Sequence, residues 1–304
     1  MPAIPYSRYV FGSLPWYSTL IVCGMALALL LCTREEKRLG LQEDTVIDLA
    51  LCVIPCGIIG ARLYYVAFSW DAFAGDPLRI LRIWEGGLAV YGSVIGGLLA
   101  ALVFSRVRKI SLATLTDIMV PGLILAQAIG RWGNYFNMEA YGAAITDPAW
   151  QFFPAGVLIP EGGELVWHMA TFFYESMWNL GVFIALMRLR KRVFRRFDLS
   201  CWYLLLYGAG RFVIEGLRTD SLMAGDGLRV SQLLSAGMCL FALGRFCWLV
   251  GKTRRVWRFT LPAAAALCAM FAFLPLSMTV RHLLMAATAI GCGAALYPQT
   301  KPEA

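Results

Sequence analysis

One segment of the chain combines an arginine with amide side chains at helical spacing. Gln127, Arg131 and Asn134 are spaced i, i+4 and i+7, so a continuous helix places all three within one narrow stripe. A planar guanidinium with amide donors beside it suits a pair of phosphate oxygens. Asn137 and Glu139 follow directly. The segment predicts an anion site, and the alternative is a rigid helix-to-loop corner stabilised by an Arg131–Glu139 pair.

A second stripe of polar side chains lies on a later apolar segment. At 100° per residue, Tyr207, Arg211, Glu215 and Arg218 fall within about 80° of one another on a helix. Two cations, an acid and a phenol on one stripe are difficult to explain as contacts with lipid, because charges within membrane spans are costly and mark functional sites. The alternative is an intrahelical Arg211–Glu215 pair packed against another helix.

Three further polar groups are less specific. Arg62 lies in the outer half of the second apolar run, where it is either a substrate-binding cation or a side chain that reaches the interface or forms a structural ion pair. Glu175, at the start of another run, fits packing or capping equally well. The two histidines, His168 and His282, do not lie among plausible metal ligands, so no metal site is expected.

These residues belong to a chain that is too apolar to be soluble. Of its 304 residues 59% are apolar and 15% are charged, whereas soluble domains carry about a quarter charged residues. Nine apolar runs approach or reach the roughly 20 residues that a membrane helix needs. The fold class predicted is an all-α polytopic membrane bundle, with a seven-span core and an additional C-terminal hydrophobic hairpin. The predicted spans are 16–32, 46–68, 88–104, 115–130, 172–187, 201–216, 230–250, 261–278 and 283–296.

The distribution of basic residues predicts the orientation of the spans. Lys and Arg cluster after every second run, around residues 34–38, 106–109, 188–196 and 252–258. Such clusters are typical of cytoplasmic loops, so we expect the amino terminus outside and the polar stripes in the outer half of the membrane. Contacts of these loops with anionic membrane lipids explain the net charge of +8. No nucleic-acid partner is expected.

Together the motifs resemble the prolipoprotein diacylglyceryl transferase family of bacterial membrane enzymes. The resemblance covers roughly residues 10–250 and includes GARLYYV, WEGGLAVYG, FFYESMWN and YGAGRFVIEGLR. Its most specific element is GRWGNYFNMEAYG. Arg131, Asn134, Glu139 and Gly142 match the family signature. The other matching residues are Tyr207, Arg211 and Glu215 on a late helix and Tyr17 on the first span.

The resemblance implies a reaction and a location. Family members move the diacylglyceryl group of phosphatidylglycerol to the lipobox cysteine of a prolipoprotein signal peptide, forming a thioether and releasing glycerol phosphate. No cofactor is implied, and the location is the bacterial inner membrane. The hypothesis assigns catalysis to Arg131, Arg211, Glu139, Glu215 and Tyr91. Substrate binding is assigned to Tyr17, Arg62, Asn134, Asn137, Gly142, Tyr207 and Arg218.

One departure leaves the thiol-activating group open. Tyr91 stands where some members of the family carry a histidine, and a phenol of pKa about 10 is a poor base at neutral pH. The base could be Tyr91, Glu139 or Glu215. Residues 1–252 are predicted to form the transferase-like domain, and residues 253–304 an added segment without an assigned role. A transporter or lipid flippase with an intramembrane Arg/Glu site is the alternative, but no matched interrupted helices support it.

Overall fold

Long apolar runs fold as helices in this protein because a helix satisfies its own backbone hydrogen bonds, and the hydrocarbon of a membrane offers the backbone no partners. The computed structural model describes residues 7–219, 229–251, 264–265, 268 and 277–301. Six of the helices described there are long and apolar enough to cross a membrane. The long helices are α1 (Trp16–Arg38), α2 (Thr45–Phe68), α3 (Val90–Arg108), α4 (Leu112–Asn137), α5 (Thr171–Leu189), α6 (Asp198–Glu215), α7 (Val230–Gly251) and α8 (Met278–Leu296).

The first seven predicted runs correspond to α1–α7, which confirms the all-α polytopic membrane fold. Helix α4 continues past its predicted end at residue 130 to Asn137, so Arg131 and Asn134 are helical as expected. Helix α8 begins five residues before the predicted run 283–296. The run 261–278 and the basic cluster 252–258 lie largely outside the described residues, and the C-terminal hairpin therefore stays a prediction.

Two short antiparallel hairpins were not predicted from the sequence. Strands β1 (Tyr9–Phe11) and β2 (Leu14–Pro15) precede α1, while β3 (Gly156–Glu161) and β4 (Glu164–Met169) lie between α4 and α5. The β3–β4 turn is Gly162–Gly163, and both glycines have positive φ, 60° and 95°, as a tight hairpin turn requires.

The chain divides into two compact units, of which the smaller is residues 29–119. Helices α2 and α3 pack closely there because glycines replace larger side chains at their contact. A Cβ on Gly92 would lie 2.2 Å from the carbonyl oxygen of Gly60, and one on Gly96 would lie 2.3 Å from that of Cys56. At the other end of the pair, Arg108 Nη2 and Asp48 Oδ2 form an ion pair of 2.6 Å.

The larger unit comprises residues 1–28 and 120–304. Its main apolar core joins α4–α8 and includes Ile124, Leu186, Leu205 and Phe246, each fully buried. A second cluster packs Val157, Ile159 and Phe172 against aromatic side chains from the end of α4. The β3–β4 hairpin is thereby fixed to the end of α4 that carries the polar residues.

Candidate active site

A single buried carboxylate, that of Glu175 on α5, connects the two predicted polar stripes. Its Oε1 lies 2.8 Å from Nη2 of Arg131 on α4, and its Oε2 lies 2.8 Å from Nη1 of Arg211 on α6. The Glu175 side chain is 3% exposed, compared with 23% for Arg131 and 14% for Arg211. The two arginines therefore share one anchor, with the Arg131 end more open to solvent.

Neighbouring contacts of α5 fix the position of this carboxylate. Ser176 Oγ donates to the carbonyl of Ala128 on α4 at 2.8 Å, and Trp178 Nε1 donates to the carbonyl of Leu206 on α6 at 2.9 Å. A Cβ on Gly210 would lie 2.0 Å from Trp178 Nε1, so the glycine before Arg211 makes room for the indole. Residues adjacent to Glu175 thus attach α5 to both arginine-bearing helices.

The stripe forms on α6 for Tyr207, Arg211 and Glu215, but the helix ends at Glu215, so the prediction of a helical Arg218 is wrong. Arg218 lies in the segment after the helix, where it forms a backbone bridge instead. Arg211 Nη2 lies 2.7 Å from Glu215 Oε2, one turn further along the helix, and Glu215 is 2% exposed. Tyr207 stacks on Tyr203 with ring centroids 5.5 Å apart and lies within electrostatic range of Arg131. Arg229, at the start of α7, donates to the carbonyl of Glu215. The intrahelical Arg211–Glu215 pair is real, and Arg211 is shared between that pair and Glu175.

The end of α4 carries a second group of polar contacts. Asn134 Nδ2 and Asn137 Nδ2 donate to Oε1 of Glu139 at 2.9 and 3.2 Å, and Arg131 Nη1 donates to Asn134 Oδ1 at 3.4 Å. The alternative of a corner held by an Arg131–Glu139 pair is wrong, because Arg131 pairs with Glu175. Glu139 Oε2 makes no hydrogen bond or ion pair with the part of the chain that the structure describes.

Gly142 joins this segment to the end of the α6 stripe. Its N–H donates to the carbonyl of Met169 at 2.9 Å, and it forms an antiparallel bridge with Arg218. A Cβ at this position would lie 2.8 Å from the carbonyl oxygen of Leu217. His168 Nδ1 lies 2.9 Å from the Gly142 carbonyl. Only a glycine allows this close backbone approach, which brings Arg218 to the same end of the unit.

Tyr17, near the start of α1, completes the set of predicted residues in the larger unit. A Cβ on Gly133 would lie 2.7 Å from Tyr17 Cδ2, so the tyrosine packs directly on the α4 backbone. Its hydroxyl lies in the electrostatic field of both Glu139 and Arg131. The structure thus collects ten predicted residues in one unit: Tyr17, Arg131, Asn134, Asn137, Glu139, Gly142, Tyr207, Arg211, Glu215 and Arg218.

The other two predicted residues, Arg62 and Tyr91, lie in the smaller unit. Arg62 is 5% exposed and binds the loop between α2 and α3 through hydrogen bonds to the carbonyls of Arg79, Ile80, Arg82, Gly86 and Gly87, from 2.6 to 3.3 Å.

These bonds occupy every nitrogen of the Arg62 guanidinium, and its carbon lies 5.0 Å from the centroid of Phe73. These contacts favour a structural role for Arg62. Its partners are backbone carbonyls of the loop and an aromatic ring, and not the acidic side chain of a structural ion pair. Tyr91 is half-buried at the start of α3, with its ring centroid 6.3 Å from that of Tyr64.

The charges at this end of the larger unit favour an anionic ligand. Arg8, before α1, adds a further cation, because its Nε donates to Asn137 Oδ1 at 3.3 Å. Five arginines and three glutamates are thus found among the described residues in these contacts: Arg8, Arg131, Arg211, Arg218 and Arg229, against Glu139, Glu175 and Glu215. Asp220, next in sequence to the α6 stripe, lies outside the described residues. Fixed guanidinium groups away from bulk water stabilise developing negative charge strongly. The arrangement can hold a phosphate while a bond to it breaks.

Glu175 is the functional candidate that the site assignment from sequence omitted. An acid at the start of a helix is commonly explained by capping or by the helix dipole, so its position alone was ambiguous. The available signal was an electrostatic requirement. Two arginines within apolar spans need anionic partners. An acid at the start of another span, as Glu175 is on α5, is a candidate partner for both.

Comparison with known proteins identifies the family. The family model described as prolipoprotein diacylglyceryl transferase matches residues 8–248. The chain belongs to this family. A phosphatidylglycerol–prolipoprotein diacylglyceryl transferase of Enterococcus faecalis is 47% identical over 232 residues, covering 75% of this chain and 84% of the relative. The protein of the same name from Listeria welshimeri is 43% identical over 238 residues, covering 76% of this chain and 84% of the relative.

The residues that match the diacylglyceryl transferase family model include helices α1–α6 and nearly all of α7. The segment that carries α8 lies beyond the matched residues. The predicted active-site residues all lie within the matched part.

Proposed function

We propose that this chain transfers the diacylglyceryl group of phosphatidylglycerol to the lipobox cysteine of a prolipoprotein signal peptide. The thiolate sulfur forms a bond to the terminal glycerol carbon of the diacylglyceryl group. The bond between that carbon and the phosphate oxygen breaks, and glycerol phosphate leaves with the electron pair. The observation that carries the proposal is the meeting of Arg131 and Arg211 at the Glu175 carboxylate.

The two arginines are proposed to bind the phosphate of the lipid. Each guanidinium has N–H donors beyond the one bound to Glu175, and these can approach phosphate oxygens from two sides. Six further residues surround the same region, and we propose that they contact the headgroup or the peptide. They are Tyr17, Asn134, Asn137, Gly142, Tyr207 and Arg218. For Arg62, whose nitrogens are all engaged, we propose that it positions the loop between α2 and α3.

Glu139 is the acid that we propose as the acceptor of the thiol proton. Its Oε1 is oriented by two amides, whereas Glu215 Oε2 pairs with Arg211. Glu139 is also exposed, so an incoming peptide can reach it. The neighbouring arginines favour the thiolate and thus lower the demand on the base. Tyr91, at the start of α3, is the alternative base.

The proposed location is the bacterial inner membrane, with the amino terminus outside. The basic clusters at the carboxyl-terminal ends of α1, α3 and α5 support this orientation, because the cytoplasmic ends of spans and their loops carry an excess of Lys and Arg. The Glu175 site then lies toward the outer leaflet, where α4 and α6 end. We further propose residues 1–252 as the transferase domain and residues 253–304 as an addition to it.

Two other functions make different predictions. A flippase would move phosphatidylglycerol without cleaving it, and a lipid-binding scaffold would hold the lipid unchanged. The test supplies the purified chain, in phosphatidylglycerol-containing vesicles, with a lipobox peptide and measures released glycerol phosphate. We expect release with the cysteine peptide and none with its Cys-to-Ser form. Absence of release with both peptides would refute the transferase proposal.

The Arg211→Ala variant extends the same assay. We expect it to abolish transfer while the protein still inserts into the membrane, because Arg211 is assigned to the leaving phosphate. Normal turnover by this variant would contradict the assignment.

A further inference from the structure

Helix α8 packs along α6, the helix that carries Arg211 and Glu215. The α8 residues that face α6 or the apolar core include His282, Ala286, Gly293 and Leu296, which are three, four or seven positions apart, as on one face of a helix. Because α8 lies beyond the residues matched by the family model, the signature motifs do not explain it.

The carboxyl-terminal end of α8 is attached to the beginning of α6. The Tyr297 hydroxyl donates to Asp198 Oδ2 at 3.0 Å and accepts a hydrogen bond from the backbone N–H of Phe194 at 3.0 Å. Asp198 is fully buried, and its Oδ1 pairs with Arg245 of α7 at 2.7 Å. The Tyr297 ring also stacks on Phe194, with centroids 4.9 Å apart. One tyrosine therefore joins α8 to the start of α6 and, through Asp198, to α7.

The amino-terminal end of α8 reaches the other end of α6. The His282 ring lies 4.9 Å from the ring of Phe212, and a Cβ on Gly216 would lie 2.6 Å from His282 Nδ1. Between the two ends, a Cβ on Gly293 would lie 2.4 Å from Leu205 Cδ2, so the helices touch there as well. The contact residues Phe212 and Gly216 directly follow Arg211 and Glu215.

We infer that α8 is a positioning element for the arginine–glutamate cluster, with His282 as the residue that acts nearest to it. The inference rests on the proposed transferase function. Contacts at the start, middle and end of α6 restrict its sliding and rotation. Such movements would separate Arg211 from Glu175, a pair joined at 2.8 Å. Misplacement of a catalytic group by about 1 Å can cost about 100-fold in rate.

The test uses the full chain and three variants of α8. His282→Ala removes the ring against Phe212, His282→Phe restores an aromatic ring without an imidazole, and Leu283→Ala alters a neighbouring side chain that is 52% exposed. For each, kcat and KM for phosphatidylglycerol are measured beside the thermal unfolding midpoint. We expect His282→Ala to lower kcat about 10-fold or more at equal folded protein, with His282→Phe and Leu283→Ala close to the parent.

Two outcomes of these kinetics would overturn the inference. A parental kcat for His282→Ala would mean that α8 does not position the cluster. Equal losses in the Ala and Phe variants would mean that the imidazole itself acts, rather than its packing.

A second readout does not depend on the reaction. Arg211→Gln and His282→Ala are combined, and the shift of the unfolding midpoint is compared with the sum of the single shifts. Coupled residues give a combined shift smaller than this sum, because each variant already weakens the contact that the other removes. Additive shifts would overturn the inference. If coupling is found and the parent releases no glycerol phosphate, only the transferase proposal fails.

Discussion

Replacing Glu175 by glutamine is the most informative change at the site. The carboxamide keeps one acceptor oxygen but presents an amino group to the second arginine, so one ion pair weakens and the other is lost. Hydrogen bonds to charged groups contribute about 1.5–3 kcal/mol, and removing one partner of a buried pair costs about 3–5 kcal/mol. Because both arginines are less than a quarter exposed, we expect a loss of about 3 kcal/mol in the free energy of unfolding.

The same substitution should separate binding from turnover. A carboxylate about 5 Å from a bound phosphate repels it by roughly 3 kcal/mol at an effective dielectric constant of 20, so its removal should not weaken binding of phosphatidylglycerol. The arginines lose their shared anchor, however, and we expect kcat to fall about 100-fold. The predicted signature is a low kcat with an unchanged or lower KM.

The assay measures glycerol phosphate release at varied phosphatidylglycerol concentration, with the unfolding midpoint as a check on folding. Glu164→Gln is the matched control, because it removes the same charge from an exposed position on the β3–β4 hairpin. A folded Glu175→Gln protein with parental kcat, or one whose only change is a raised KM, would refute the proposed role of Glu175.

Other substitutions test the roles of Arg62, Gly142, Glu139 and Tyr91. Arg62→Leu should lower the unfolding midpoint and increase proteolysis within residues 69–87, because five carbonyls lose their shared donor; unchanged proteolysis would contradict this. Gly142→Ala should abolish transfer, since its Cβ would lie 2.8 Å from the Leu217 carbonyl oxygen, and a fully active variant would show that this approach is dispensable. Glu139→Gln should lower kcat about 100-fold or more, whereas Tyr91→Phe should keep most of it; the reverse result would make Tyr91 the base.

Sequence periodicity was sufficient for the helices and for most of each polar stripe. The spacing of Arg131 and Asn134 on one helix and of Arg211 and Glu215 on another depends on local geometry alone, and these pairs form as predicted. Arg218 does not, because α6 ends three residues before it. Which stripe faces which depends on the packing of α5 between the two helices. The partners of Glu175 are 36 and 44 positions away in sequence. From the sequence alone, its position was therefore explained equally well by helix capping or packing.

Irregular segments were the least predictable part of the protein. The carbonyls around Arg62 converge through short turns between residues 77 and 87, and no side-chain pattern marks such convergence. The β3–β4 hairpin did leave a signal, because Gly162–Gly163 separates two runs rich in β-branched and apolar residues. The anchoring of Tyr297 to Asp198 was not predictable from spacing, since the two residues are 99 positions apart.

An experimental structure of the chain with phosphatidylglycerol bound, and with the peptide left out to prevent turnover, would show directly whether Arg131 and Arg211 hold the phosphate. We expect phosphate oxygens within about 3 Å of nitrogen atoms of both Arg131 and Arg211, with Glu175 still bridging the two guanidinium groups. A headgroup bound elsewhere, or one that contacts neither arginine, would contradict this expectation.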